Sequence, residues 1–260
     1  MRAVYSVIAL ALLMACSHAQ SAPAVYDPSS LPAGGLGASI KLGHDIIVDP
    51  HKYLPKNVVA DMSCEACHLS AGTVSRGGTL VGVYSRFPQW NKRAKRVIAL
   101  QDRVAECFLY SMNGTPPAYT SKEMIAMVAY MAYLSRDVPT GAPAVKADSF
   151  VVPLPKASPN LTRGAAVYAT SCQACHRANG AGLHGGIPPL WGATSFNTGA
   201  GMAHIDKMTG FVMHNMPQNA PGTLSLEDAY DVSAWVLTHQ RPKFVKNRML
   251  VQPPEPASYF

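Results

Sequence analysis

The chain of 260 residues lacks a hydrophobic run that could cross a bilayer, for which about 20 consecutive apolar residues are needed. A short apolar run at residues 7–14 follows Arg2 and precedes small residues, which is the pattern of a secretory signal peptide. Cleavage after Ala19 is favoured, and a lipoprotein-like box before Cys16 is the alternative. The sequence therefore predicts an exported protein without a transmembrane segment, with lipidation of Cys16 as a variant of that prediction.

The sequence also has only a small excess of one charge. Lys and Arg number 22 against 15 Asp and Glu, a formal net charge of +7. So modest an excess, together with export, argues against nucleic acid as a partner and favours a small anion. The basic residues concentrate at Arg86, Lys92, Arg93, Lys95, Arg96 and Arg103.

Cysteine is scarce too, with six residues, of which four form two copies of the C-x-x-C-H sequence. Thiols at this spacing can form thioether bonds to the two vinyl groups of a c-type haem, and the adjacent His then reaches the iron. A single C-x-x-C is also found in zinc sites and redox dithiols, but two whole copies favour haem. The sequence predicts two covalently bound haem c groups, one held by Cys64, Cys67 and His68 and one by Cys172, Cys175 and His176. Bacteria attach such haems outside the cytoplasm, which predicts a periplasmic protein.

Both halves of the chain repeat one order of elements: an entry helix, the C-x-x-C-H motif, a loop and a terminal helix. The predicted fold is all-α, with two tandem cytochrome c-type haem domains joined by a Pro-rich linker. The predicted divisions are a signal peptide at 1–19, an N-terminal domain at 20–137, a linker at 138–160 and a C-terminal domain with an irregular tail at 161–260.

Capping signals predict where several of these helices begin. Thr162 is the predicted N-cap of the second entry helix, and residues 120–123 and Ser225 mark the starts of the terminal helices. Ile125 is assigned to the apolar stripe of the first terminal helix. Gly164 is the predicted point at which the two helices of the second half cross closely.

The sixth position on each iron needs a second axial ligand, which in helical cytochromes c is usually a Met before the terminal helix. In the second half Met216 stands nine residues before Ser225. In the first half the equivalent position is Met112, but Cys107 lies five residues upstream and has no disulfide partner. A free Cys can be a small buried hydrophobe or a thiolate on the iron, and the pattern leaves both readings open.

The neighbours of Cys107 favour the thiolate. Arg103, Cys107 and Ser111 have i−4, i, i+4 spacing on a segment with a helical apolar face. A positive neighbour lowers the pKa of a thiol, and Arg offers an oxyanion paired donors in a planar fork.

Residues 100–114 form a specific pattern with Cys64–His68 upstream and with Phe87, Pro88 and Arg93 between them. In this pattern the first half resembles the periplasmic dihaem thiosulfate dehydrogenases. In the second half the resemblance lies in residues 188–192, 195–202 and 215–217. It covers roughly residues 40–240 and is far more specific than a bare C-x-x-C-H motif.

The resemblance implies that the first haem, with His68 and Cys107 as ligands, is the site of chemistry and that the second, with His176 and Met216, relays electrons. It further implies that two arginines and a serine bind the substrate, and by spacing these are Arg93, Arg103 and Ser111. Some relatives have a Lys before the Met and exchange ligands on reduction. Asn215 stands there in this chain, which argues against such an exchange.

The activity implied by the resemblance joins two thiosulfates into tetrathionate, in some relatives reversibly, with an external cytochrome as electron partner. The accompanying hypothesis is that the sulfur of Cys107 leaves the iron and carries a sulfur adduct while Arg93 and Arg103 hold the anions. Two alternatives remain: a plain dihaem electron carrier with Met112 on the first iron, and a haem subunit of a multi-protein sulfur-oxidising complex.

Overall fold

The computed structural model describes residues 26–145 and 148–245. The predicted signal peptide at 1–19, including Cys16, and the tail from residue 246 onward lie outside the described residues. Within the described ranges, no helix combines the length and the apolar character needed to cross a membrane.

Helices dominate both halves, as the sequence predicts. The first half contains α1 (Gly35–Val48), α2 (Pro50–Tyr53), α3 (Leu69–Gly72), α4 (Leu100–Tyr110) and α5 (Lys122–Leu134). The second half contains α6 (Leu161–Ser171), α7 (Gln173–His176), α8 (Ile205–Asn215) and α9 (Leu226–Thr238). A short antiparallel hairpin of β1 (Gln89–Asn91) and β2 (Arg96–Ile98) precedes α4. Apart from this hairpin, the helices confirm the predicted all-α class.

In each half the entry helix crosses the terminal helix at a glycine. A Cβ atom on Gly164 of α6 would overlap the carbonyl group of Asp231 in α9, which confirms the close crossing predicted there. Gly43 of α1 meets the carbonyl group of Ala126 in α5 in the same way, although the sequence analysis did not identify it. The two halves therefore pack their entry and terminal helices in the same way, because a glycine, which has no Cβ, lets the two backbones come into contact.

The cap of the second entry helix differs from the prediction. Asn160, not Thr162, is its N-cap, because the side-chain oxygen of Asn160 accepts a 2.9 Å hydrogen bond from the backbone N–H of Arg163. Thr162 already lies within the first turn, where its hydroxyl cannot fill that role. The cap predicted at Ser225 is confirmed by a 3.0 Å bond from the N–H of Asp228.

The apolar stripe predicted for α5 was also wrong in one respect. Ile125 is 52% exposed, whereas Met124 and Met127 are fully buried. Nearly every residue of this helix is apolar, so its periodicity does not show which side faces the core. The contact with α1 decides that side.

The two halves pack against each other through hydrogen bonds as well as apolar contacts. The N–H of Asp61, just before the first motif, donates a 2.8 Å bond to the carbonyl of Thr194 in the second half. The side-chain amide of Asn215 donates a 2.9 Å bond to the carbonyl of Arg76 in the first half. The buried apolar side chains of both halves form one continuous cluster. The described residues of the segment 138–160 contain no α-helix.

The glycine crossings generate a stability prediction. We expect Gly43→Ala and Gly164→Ala each to lower the free energy of unfolding by at least about 1 kcal/mol, because an added methyl group in a filled contact forces the backbones apart. Gly35→Ala is the matched control, since a Cβ there has no atom within 4 Å and α1 keeps its helical backbone. Denaturant unfolding of the haem-loaded proteins measures all three changes. Equal stability of the crossing variants and the control would contradict the packing role.

Candidate functional site

The first C-x-x-C-H motif forms a tight turn. Ser63 caps it, since its hydroxyl accepts a 3.2 Å bond from the N–H of Ala66. The N–H groups of Cys67 and His68 both donate to the carbonyl of Cys64, at 3.2 and 3.0 Å. One turn of backbone thus holds the two thiols and the imidazole together, as attachment to a single planar group requires.

The ring of His68 is held in a single tautomer. Its Nδ1 donates a hydrogen bond to the carbonyl of Gly78, which leaves Nε2 without a proton and available to a metal. Burial lowers the pKa of His68, and the bond to Gly78 only partly offsets this effect, so the imidazole stays neutral. Gly78 has a positive φ of 67°, and a Cβ there would approach His68 Nδ1 to 3.1 Å. The residue that accepts the hydrogen bond therefore has to be glycine.

Helix α4 places Cys107 beside this motif. Burial raises the pKa of the Cys64 and Cys67 thiols to about 12, and the neighbouring Cys107 adds to this rise in both cases. Cys107 itself is half-buried, with its Sγ 3.4 Å from the carbonyl oxygen of Arg103. Met112, the competing ligand, is only 2% exposed and packs in the core. The position of Cys107 beside both cysteines of the motif favours it over Met112, and its role as iron ligand stays a prediction.

Arg103 lies one turn before Cys107 and is anchored at one end. Its Nη1 donates a 3.1 Å bond to a carboxylate oxygen of Glu106, which is 3% exposed. The nearby Cys107 sulfur raises the pKa of Arg103, against the effect of burial and with help from Glu106. About half of the Arg103 side chain, 51%, remains exposed. The guanidinium is thus fixed in place yet accessible to a small anion.

Glu106 also ties α4 to the hairpin, because it accepts a 3.1 Å bond from the side-chain amide of Asn91 in β1. Arg93 follows at the hairpin tip. Its guanidinium carbon lies 4.0 Å from the centre of the Tyr110 ring in α4, and its Nη2 donates a 2.9 Å bond to the carbonyl of Gly199 in the second half. A residue of the first half is therefore held partly by the second half.

Ser111 completes the predicted set as the C-cap of α4. Its N–H donates a 2.9 Å bond to the carbonyl of Cys107, so it lies one helical turn beyond that cysteine. The structure thus brings Arg103, Cys107 and Ser111 together along one edge of α4, and Arg93 reaches the same helix through Tyr110. Two guanidinium groups and a hydroxyl near a sulfur atom suit a small divalent oxyanion.

The second motif repeats the arrangement of the first. Cys172 is the C-cap of α6, and the N–H groups of Cys175 and His176 both donate to its carbonyl, at 3.1 and 2.9 Å. Nδ1 of His176 donates a 3.0 Å bond to the carbonyl of Pro188, which again leaves Nε2 available. Burial lowers the pKa of His176 and raises that of Cys172 to about 11.

Met216 follows α8 directly and is half-buried. Its place as the second axial ligand of the second haem remains a prediction. Two thiols and one neutral imidazole with a free Nε2 form the donor set of a haem c, and each half provides one such set. The residues of both halves therefore fit the group that the sequence predicts.

Four residues that shape the first site were not predicted from the sequence: Glu106, Tyr110, Asn197 and Gly199. Glu106 carries a weak signal, as an acid three residues after Arg103 on the same helix. Asn197 and Gly199 lie in the segment 195–202 that carried the resemblance, but nothing local in the sequence connects them to α4. No pattern identifies Tyr110, whose importance comes from the arginine stacked on its ring.

Comparison with known proteins agrees with this architecture. Residues 53–140 match the family described as SoxA/TsdA, cytochrome c domain, and residues 159–236 match the family described as cytochrome C oxidase, cbb3-type, subunit III. These matches confirm two tandem cytochrome c domains and two covalently bound haem c groups.

Individual relatives agree as well. The chain is 40% identical to a thiosulfate dehydrogenase of Allochromatium vinosum, over 92% of this chain and 94% of the relative. It is 38% identical to a thiosulfate dehydrogenase of Stutzerimonas stutzeri, over 82% of this chain and 71% of the relative.

Among solved structures, the as-isolated form of thiosulfate dehydrogenase TsdBA from Marichromatium purpuratum matches with a TM-score of 0.79 and 31% identity. The match covers 84% of this chain and 49% of that one, so this chain spans about half of its length. The identity to the first two relatives, over most of their length and of this chain, is decisive. This chain belongs to the thiosulfate dehydrogenase family.

Proposed function

We propose that this protein is a periplasmic thiosulfate dehydrogenase. It joins two thiosulfate dianions by a sulfur–sulfur bond into one tetrathionate dianion, and two electrons leave for an external cytochrome. The observation that carries this proposal is the position of Cys107, which lies one helical turn after Arg103, with its Sγ 3.4 Å from the carbonyl oxygen of Arg103, and beside the two cysteines of the first motif. A sulfur atom beside both the first haem motif and a half-exposed guanidinium suits sulfur chemistry on an anion.

The bound haem c groups supply the one-electron chemistry of the reaction. His68 and Cys107 would hold the first iron, and His176 and Met216 the second. The protein contributes by fixing each imidazole through Nδ1, on Gly78 in the first half and on Pro188 in the second. A hydrogen bond donated by that nitrogen orients the ring and strengthens the other nitrogen as a ligand.

Arg93, Arg103 and Ser111 would bind the substrate. Two thiosulfate dianions repel each other, so fixed positive charge is needed to bring them together. Arg103 is immobilised by Glu106, and Arg93 by Tyr110 and the carbonyl of Gly199. Because these contacts orient both guanidinium groups before substrate arrives, less conformational entropy is lost on binding.

The division of the chain forms part of the proposal: a signal peptide at 1–19, a substrate domain at 20–137, a linker at 138–160 and an electron-relay domain from 161. The matched ranges 53–140 and 159–236 support the two domains. The plain electron carrier, with Met112 on the first iron, is less well supported, because it gives no role to the half-buried Cys107 one turn after Arg103. The relatives named thiosulfate dehydrogenase also favour the enzyme.

Cys107→Ala tests the proposed function directly. Both haems should remain attached, because their thioether bonds come from other cysteines, while thiosulfate-dependent reduction of ferricyanide should fall at least about a hundredfold. Met112→Leu is the matched control and should keep its activity and its haem spectrum. Near-normal turnover of Cys107→Ala, with both haems present, would remove Cys107 from the mechanism.

The basic residues of the hairpin and α4 divide into a binding pair and bystanders. Charge-assisted hydrogen bonds are worth about 1.5–3 kcal/mol, so Arg93→Ala and Arg103→Ala should each lower kcat/KM for thiosulfate at least about tenfold. Lys92→Ala and Lys95→Ala, which remove exposed charges of the same hairpin, should lower it less than about threefold. Arg96 is a poor control because it pairs with Asp102. If all four variants lost kcat/KM equally, and if the losses disappeared at high salt, the basic residues would steer the substrate electrostatically and not bind it.

The ligand of the second haem is tested by spectroscopy. Met216→Ala should change the electron paramagnetic resonance and near-infrared signature of the second haem, while the first keeps its own. Met213→Ala, which removes another half-buried methionine from the end of α8, should change neither. An unaltered second-haem signature in Met216→Ala would assign the ligand to a different residue.

A further inference from the structure

The C-terminal end of α4 is completed by the other half of the protein. The last four carbonyls of an α-helix have no partner within the helix and need donors from elsewhere. The carbonyls of Cys107 and Phe108 accept bonds from the N–H groups of Ser111 and Gly114, at 2.9 and 2.7 Å. The remaining two are those of Leu109 and Tyr110, and for these the donors come from the second half.

Asn197 supplies both donors. Its side-chain amide nitrogen donates a 2.8 Å bond to the carbonyl of Leu109, and its backbone N–H donates a 3.2 Å bond to the carbonyl of Tyr110. Asn197 is 1% exposed. A buried side chain that satisfies a helix end on another domain fixes that end with little freedom.

The Asn197 side chain forms two more hydrogen bonds. Its Oδ1 accepts a 2.9 Å bond from the N–H of Gly199, and its Nδ2 donates a second bond, of 3.2 Å, to the side-chain oxygen of Asn113. Donor and acceptor sides therefore both have partners, and an inverted amide would lose all three bonds. One side chain thus sets the position of Gly199 relative to α4.

The position of Gly199 in turn determines where Arg93 is held. The carbonyl of Gly199 accepts the 2.9 Å bond from Arg93 Nη2, and the Arg93 guanidinium stacks on Tyr110, whose own carbonyl is bound by Asn197. The two supports of Arg93, a carbonyl and an aromatic ring, are therefore held at a fixed spacing by Asn197.

We propose that Asn197 is a positioning residue for the substrate site of the first half. It acts through Gly199 and Tyr110 on Arg93, and through the end of α4 on Ser111. The second half then does more than relay electrons, because it forms part of the frame that holds the anion-binding groups. This inference rests on the proposed function, since it concerns the same substrate.

The test is a double-mutant cycle on the haem-loaded, full-length protein. Asn197→Ala should lower kcat/KM for thiosulfate about tenfold in the wild-type background but less than about threefold in an Arg93→Ala background, since coupled residues are not additive. Asn197→Asp keeps the acceptor for Gly199 but loses the donor to Leu109, and should show at least the loss of Asn197→Ala. Haem content and the second-haem spectrum should not change in either variant.

Thr194→Val is the matched control within the same loop. Its side chain is exposed, and among the described residues its hydroxyl forms no hydrogen bond with the groups that hold Arg93. We expect this variant to keep the wild-type kcat/KM. A loss equal to that of Asn197→Ala would mean that the loop tolerates no change, and would overturn the specific role of Asn197.

Gly199→Ala keeps the inference testable if Asn197 variants do not fold. A Cβ on Gly199 would approach the Phe244 ring to 2.9 Å and the Tyr110 ring to 3.1 Å, and so disturb both supports of Arg93. The same background-dependent loss is expected. Equal losses with and without Arg93, or no loss in either variant, would overturn the positioning role. A wild-type protein without thiosulfate turnover would instead overturn the proposed function.

Discussion

The carbonyls at the end of α4 must find hydrogen-bond donors, and this requirement connects the two halves of the molecule. The helix carries Arg103 and Cys107, and its end is completed by Asn197 from the other domain. Bringing in that residue also brings in the Gly199 carbonyl, which holds Arg93. The hydrogen-bond requirement of one helix end thus makes residues of both domains part of the substrate site.

A second contact links the halves at the loop that follows the first motif. The amide of Asn215, next to the predicted ligand Met216, donates to the carbonyl of Arg76. Two residues further along, the carbonyl of Gly78 accepts the hydrogen bond from His68. The backbone that orients the first histidine is therefore attached to the segment that carries the predicted ligand of the second haem.

Buried charge at the first site is balanced locally. Glu106, at 3% exposure, would be unfavourable in the interior without partners, and it has two, Arg103 and Asn91. This pairing leaves the outer part of Arg103 free for a substrate anion, because only one of its nitrogens is engaged by Glu106. The acid thus orients the guanidinium, while about half of the Arg103 side chain, 51%, stays exposed.

The sequence by itself determined the haem motifs, the all-α repeat, the Ser225 cap and the helical face bearing Arg103 and Cys107, because each depends on residues within one or two helical turns. Only the tertiary structure decided what depends on contacts between distant segments. A run of apolar residues hides which side of α5 is buried, so Ile125 was misassigned. The role of Asn197 is likewise invisible in the sequence, since its partners in the first half lie more than eighty residues away and meet it only when the two domains pack together.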